Sequence, residues 1–493
     1  MSLRRGSVIA LVAALAACGD DASTSPTADA GPGVTTFSRE KLLDPAKCKD
    51  CHPRHYREWA SSMHAYASAD PVFLAMNRRG QEETNGQLGK FCVNCHAPMA
   101  VREGATTDGL NLDEVPKPLQ GVTCYFCHNA KEVTDDHNNP LVLADDTTMR
   151  GGIANAKRPK AHGVAYSQLH DGNTHEASKM CGSCHDIVNT NGVHLERTYA
   201  EWQDSVFSAA TLEGGLLTCN QCHMNPYDGV AADDPDTRVG QRIVHEHLWP
   251  AVDIALTSFP DKELQHEAIQ CVLASSVKVF SLTVTPLEAI VLLEGQAGHR
   301  VPSGASQDRR MWLELTAYDA DDNVIFSSGD IADDEVEEKP ADDPDHDPHL
   351  WVFRDRLYDA EGNETHMFWE AAKSAAHPDG YESNTQPPAK GRAVPHTVER
   401  RYPMFQPARV TVRVRLRPMG LDVLDDVIGT GHLAPAIRDA MPTHTLEYSQ
   451  VEWSLDKDGY GGEVSTPTDE TDWCARYRCL LDPDGVDCAR DGG

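Results

Sequence analysis

The stretch Cys48-Lys-Asp-Cys51-His52 decides how this chain must fold, because the same arrangement returns four times. The repeats are Cys92-Val-Asn-Cys95-His96, Cys124-Tyr-Phe-Cys127-His128, Cys181-Gly-Ser-Cys184-His185 and Cys219-Asn-Gln-Cys222-His223. Each reads C-x-x-C-H, the attachment signature of c-type haem. Two thiols add across the two vinyl groups of the haem, and the two intervening residues let both sulfurs reach one edge of the ring. The His that follows turns back to the iron as proximal ligand. A thioredoxin-like dithiol needs only one pair, and a zinc site needs no His fixed after every second Cys. The pattern predicts five covalent haem c groups.

Five haems along one short segment must lie close together, and their faces replace much of an aliphatic core. Long apolar runs are scarce there, which predicts short helices around each motif joined by irregular loops. Five irons can each take a second axial ligand. Outside the motifs, residues 40–250 contain His55, His64, His137, His162, His170, His175, His194, His245 and His247. That supply favours bis-His over His/Met ligation, which lowers the potential. His64, His162, His175 and His247 are the predicted distal ligands. His64 lies in Tyr56-Arg-Glu-Trp59-Ala-Ser-Ser62-Met-His64, which reads as helical, and His247 closes the segment with His245 as its rival. His170 and His194 are reserves, whereas His55 and His137 read as surface residues. The methionine alternatives are Met63, Met76, Met99, Met180 and Met224; Met99 and Met224 follow their own motifs too closely to reach the far face.

Outward to the N-terminus, Arg4 and Arg5 precede an apolar stretch, Val8 to Ala17, that is short for a membrane span. Leu15-Ala16-Ala17-Cys18 resembles the lipobox of bacterial lipoproteins, which implies export and a lipid on Cys18 in the periplasm or at the outer membrane. Residues 1–17 are read as a lipoprotein signal peptide and 18–40 as a flexible tether. The remaining partition is a pentahaem domain over 41–255, a connector helix over 256–280, a β-sandwich over 281–456 and a disulfide-stapled tail over 457–493. The fold class is therefore multidomain α+β, a mainly helical or irregular multihaem domain followed by an antiparallel β-sandwich. With 44 Lys or Arg against 76 Asp or Glu, the formal charge is −32, which excludes nucleic acid as a partner.

The second half alternates apolar and polar residues in Val277–Pro286, Arg310–Tyr318, Asn323–Phe326 and Ala408–Arg417. These read as antiparallel strands of a sandwich of roughly seven strands. Gly420 to Met441 breaks the alternation and reads as helical near its start. His299, in Gly298-His299-Arg300-Val301-Pro302-Ser303-Gly304, reads as part of a turn between strands; the other reading is a ligand offered to a haem. The acidic run Asp330 to Asp347 reads as a solvated insertion, because it lacks the spacing of a Ca²⁺ loop. Cys271, Cys474, Cys479 and Cys488 remain for two disulfides, with their pairing open.

The string CKDCHPRHYREWASSMHAYA, starting at Cys48, is similar to the first-haem region of exported cytochromes related to the tetrahaem electron carrier of bacterial hydroxylamine oxidation, the cytochrome c-552/4-like family. MCGSCHDIVNTNGVHLERTYAEWQDS, starting at Met180, and LTCNQCHM, starting at Leu217, resemble later haem sites of its larger members. The resemblance covers roughly residues 45–255. It implies electron transfer and a distal-ligand role for His64. It does not carry the activity of the pentahaem nitrite reductases, since their C-x-x-C-K site is absent from the sequence. Two functions follow. One is an electron carrier that docks redox proteins through a basic face on the partner. The other is an oxidoreductase acting on a small nitrogen or sulfur species at one open iron.

Overall fold

Each C-x-x-C-H motif winds into one helical turn. The His amide donates to the carbonyl of the first Cys at 2.8 Å in the first motif, 3.3 Å in the second and 3.1 Å in the fourth. The third and fifth motifs are the short helices Cys124–His128 and Cys219–His223. A helical turn puts residues three apart on one face, so both sulfurs look the same way with the His beside them. This computed structural model describes residues 36–209, 216–234, 238–375, 397–467, 472 and 474–482. Residues 1–17, read as a signal peptide, together with Cys18 and Cys488, lie outside the described residues.

Between the motifs run short helices with local reasons to start where they do. Pro53–Ala60 begins on a proline directly after His52. Met63–Tyr66 is capped by Ser62, whose hydroxyl accepts from the Ala65 amide. In Pro71–Glu83 the Asp70 carboxylate accepts from the amides of Val72 and Phe73. His175–Gly182 carries the first Cys of the fourth motif, and Thr198–Asp204 follows that motif. Two-stranded ribbons such as Ala130–Val133 with Leu141–Leu143 fill the gaps.

The helix Lys262–Ala274, capped by Asp261, ends this segment. After it come β1 (Val277–Val284), β2 (Glu288–Gly295), β3 (Arg310–Tyr318), β4 (Val324–Ser328), β5 (Trp351–Phe353), β6 (Thr397–Pro403), β7 (Arg409–Arg417), β8 (His444–Ser454) and β9 (Glu463–Val464). One antiparallel sheet has the order β6-β2-β1-β9. The second has the order β4-β3-β7-β8, with β5 also paired to β3. In β7 the alternation places Val410, Val412, Val414 and Leu416 inward; Leu313 of β3 pairs with Val414, and Leu315 with Val412. Both sheets contribute to one apolar cluster that includes Val279, Leu282, Val291, Leu313, Val412 and Trp453.

Between β7 and β8 the chain leaves the sheet for the helix Leu421–Gly429, which packs Leu421, Leu424 and Val427 on Val72 and Ala75 of Pro71–Glu83. Nearby, a Cβ on Gly80 would sit 2.6 Å from Leu88 and 2.8 Å from Trp369, so only glycine allows this approach. The described residues belong to one compact unit. Among them, no helix is long and apolar enough to cross a membrane.

Two readings of the sequence change here. The acidic run is not a wholly solvated insertion: Glu337 is 3% exposed and ion-paired at 2.6 Å with the fully buried Arg417. Glu338 is bound by Arg354 and, at 2.6 Å, by Arg356. The open pairing of the cysteines resolves as Cys271 with Cys474, and Cys479 is also disulfide-bonded. The tail helix Ala475–Leu481 then reaches back to the haem-motif segment, with the Tyr477 hydroxyl donating to Glu246 at 2.6 Å.

Candidate haem-binding site

All ten motif cysteines and all five motif histidines line one connected cavity of about 1960 Å³. Ordinary small-ligand sites span roughly 300–1,000 Å³, so this space takes several large groups. Burial pushes the thiols of Cys92 and Cys127 up to about 12, which holds them neutral. Neutral sulfur in an apolar wall suits a thioether and not a thiolate metal centre. Among the described residues, the one cluster of three or more candidate metal-ligand side chains is the half-exposed group Asp135, Asp136 and His137, which contains no cysteine. The motifs also touch one another. Cys48 lies beside Cys124, Cys95 beside Cys184 and Cys181 beside Cys219.

Four motif histidines face a second imidazole. Ring centres lie 6.4 Å apart for His52 and His162, and 6.1 Å for His128 and His247. They lie 6.2 Å apart for His185 and His64, and 6.2 Å for His223 and His299. One metal ion between two imidazoles requires about 6 Å, from two metal–nitrogen bonds of about 2 Å and a little over 1 Å from each nitrogen to its ring centre. Spacing alone does not suffice, since His52 and His55 are 6.1 Å apart and His266 and His444 6.4 Å apart.

The tautomers distinguish three of the four pairs, and His64 with His185 is placed by spacing and burial. A carbonyl can only accept, so an Nδ1 against a carbonyl must carry the proton and leaves Nε2 with a free lone pair. His52 Nδ1 donates to Ala231, His128 Nδ1 to Arg150 and His223 Nδ1 to Pro250, at 2.7, 2.6 and 2.9 Å. His96 Nδ1 donates to Ala67 at 3.2 Å. Across the gaps, His162 donates to Gly163 at 2.8 Å, His247 to His245 at 2.9 Å and His299 to Arg300 at 2.7 Å. Burial keeps the rings neutral as ligation demands: His64 is pulled down to about 3, and His96 and His185 to about 4.

The predicted ligands are thus placed unequally. His64, His162 and His247 stand opposite motif histidines, and His64 faces the fourth motif although it follows the first in sequence. His175 does not; its Nε2 is tied to the Ser208 carbonyl at 2.7 Å. Of the reserves, His170 has Nε2 on the Cys127 carbonyl at 2.8 Å, and His194 is exposed near Asp186. His55 is not a surface residue: it is largely buried, pulled down to about 4, and packs edge-on against His247 at 4.6 Å. His137 is paired with Asp136. His96 has no facing imidazole among the described residues, and Phe73 stacks on its ring at 4.0 Å. Two contributors are not among the predicted ligands. One is His299, which the sequence reading ranks as a turn residue ahead of a ligand. The other is Glu58, fully buried, which accepts from the His247 amide at 2.8 Å and from Arg54 at 2.7 Å. Burial raises its carboxyl to about 7. A buried acid in a polar helix carries no local signal of its partner.

Residues 47–129 match the family described as cytochrome c554 and c-prime. No curated protein matches the chain. Among solved structures, it is similar in fold to a penta-heme cytochrome c552 from Thermochromatium tepidum, with a TM-score of 0.55 and 20% sequence identity, over 83% of this chain and 97% of that one. Family match and fold together support a multihaem c-type cytochrome. Haem c is its cofactor and electron transfer the activity this class suggests.

Proposed function

We propose that the chain is an exported, lipid-anchored electron carrier holding five haem c groups, four of them bis-His ligated. The observation that carries this reading is the set of four motif histidines, each facing a second imidazole at about 6 Å, in three pairs with both Nδ1 protons given to backbone carbonyls. Haem c supplies a one-electron iron couple, and a second imidazole moves that couple to low potential. The thioether positions are Cys48 and Cys51, Cys92 and Cys95, Cys124 and Cys127, Cys181 and Cys184, and Cys219 and Cys222. The cysteine contacts join the first motif to the third, the second to the fourth and the fourth to the fifth, which supports a connected array.

The −32 charge supports docking to redox proteins with a basic face. Burial, and after it the charges of Asp234, Asp50 and Asp233, raise the Cys51 thiol, so negative charge stands at the first motif. Transfer to a basic partner is expected to slow as ionic strength rises; no salt dependence would remove this part of the reading.

His96 favours a second reading for one centre, an open iron that handles a small nitrogen or sulfur species. The ferric spectrum tests both. Four low-spin irons and one high-spin iron are expected. A mostly high-spin protein would sink the bis-His reading. A high-spin fraction indifferent to nitrite, hydroxylamine and cyanide would sink the second.

A further inference from the structure

We infer that His299 is the distal ligand of the fifth haem, presented across the molecule by the loop Gly298–Gly304 of the β-sheet half. This rests on the bis-His reading above and extends it to a residue outside the haem-motif segment. The rings of His223 and His299 are nearly parallel, at 11°. Both Nδ1 protons are spent on backbone carbonyls, of Pro250 and Arg300. Both rings line the shared cavity. A simple turn between strands gives no reason to direct an imidazole inward with its Nε2 unspent.

The loop is also held as a ligand support must be. On one side Glu201, in the helix Thr198–Asp204, accepts from the Arg300 amide at 3.2 Å and from the Ser303 hydroxyl at 2.7 Å. Ser303 is also 2.8 Å from the Thr198 hydroxyl. On the other side Arg309 donates to the Ser303 carbonyl at 2.9 Å and grips the Asp253 carboxylate with two bonds of 2.9 Å. Asp253 lies three residues beyond Pro250, whose carbonyl fixes His223. One short unit therefore positions both imidazoles. Gly304, at φ +76°, reverses the chain where a side chain would be strained. Glu201 is a positioning residue in this arrangement, and the β-sheet half becomes a ligand donor.

The test is made on the matured holoprotein. In His299→Ala, the haem content is expected to stay at five per chain while the low-spin ferric count by EPR falls from four to three, and added imidazole should restore it. His299→Met, which keeps the volume of the site should the alanine variant fail to mature, should show one His/Met centre of raised potential. Glu201→Ala should disturb the fifth centre alone, and Glu201→Gln, which keeps the accepting oxygen, should rescue it. An unchanged low-spin count in His299→Ala, or an unchanged spectrum in His299→Met, overturns the inference. His247→Ala is the control. If His247→Ala lowers the count and His299→Ala does not, only this assignment falls; if neither does, the bis-His reading falls with it.

Discussion

The haem-motif segment and the β-sheet half solve the same problem with opposite means. The sheets bury one large continuous cluster from Val252 to Trp453, and ladder hydrogen bonds satisfy their backbone. The haem-motif segment has only small clusters, such as Val93, Ala97, Ala100, Leu112 and Val115. These are arranged around the 1960 Å³ cavity. An unfilled space of that size is incompatible with a close-packed interior. The first region is therefore stabilised by what it binds, the second by its own side chains.

The sharpest way to break this comparison is to withhold haem attachment. A chain made without it is expected to lose the helical signal of residues 45–250 and to leave a protease-resistant fragment beginning near the helix Lys262–Ala274. A haem-free segment that resists protease would show that it has a core of its own.

In the β-sheet half the largest single effect should come from Glu337→Gln. Arg417 and Glu337 are both wholly buried at the side chain. Removing one charge strands the other at a cost of about 3–5 kcal/mol. Denaturant unfolding should register that loss while the haem spectrum of the folded protein stays unchanged, because neither side chain of the pair lines the cavity. A coupled change in the spectrum would mean that the two halves share their stability.

A pH effect of comparable size belongs to Asp308. It is 1% exposed, its Oδ1 has no hydrogen-bond partner among the described residues, and burial raises its carboxyl from 3.8 to about 7. A raised carboxyl is neutral in the fold and ionised in the unfolded chain, so unfolding releases a proton and stability falls as pH rises from about 4 to 7. At about 1.36 kcal/mol per unit, the full loss approaches roughly 4 kcal/mol above pH 7. Asp308→Asn should flatten the profile, with a gain at pH 8 and little change at pH 4. An undiminished slope would assign the dependence to other acids, Glu196 foremost, which burial also raises to about 7.

The two regions also differ in how much of them the sequence declares. Covalent haem attachment fixes spacing locally, so the fifteen motif residues stand out. β7 writes its burial in alternation, from Val410 to Leu416. The histidines proposed as distal ligands obey neither rule. His64 lies twelve residues beyond the first motif and faces the fourth; only the path of the chain decides that. His175 looks equally eligible, yet the Ser208 carbonyl takes its Nε2. His299 sits among Gly, Pro and Ser residues that look like any turn, and its inferred role depends on a loop held by Glu201 and Arg309. The acidic run misleads for the same reason. Glu337 is indistinguishable from its neighbours until Arg417 arrives from β7.

The disulfide Cys271–Cys474 should have the smallest of these effects and the most local one. It closes a loop of sequence separation 203, and a bridge of this kind contributes about 2–4 kcal/mol. Cys271 lies on the helix that separates the two regions, and although β9 pairs with β1, the tail helix that the bridge secures lies beyond the sheets. Tyr477 donates to Glu246, and Arg57 donates to the Leu480 carbonyl at 3.0 Å. Glu246 is the immediate neighbour of His247. Replacing both cysteines by serine should therefore release the helix Ala475–Leu481 and expose the haem-motif segment near His247 first. Hydrogen exchange would show it as lost protection in that helix and around residues 244–248, with β7 and β8 still protected. If protection in β8 falls by the same amount, the tail is a strut of the sheet half, and the boundary between the two modes of stabilisation lies elsewhere.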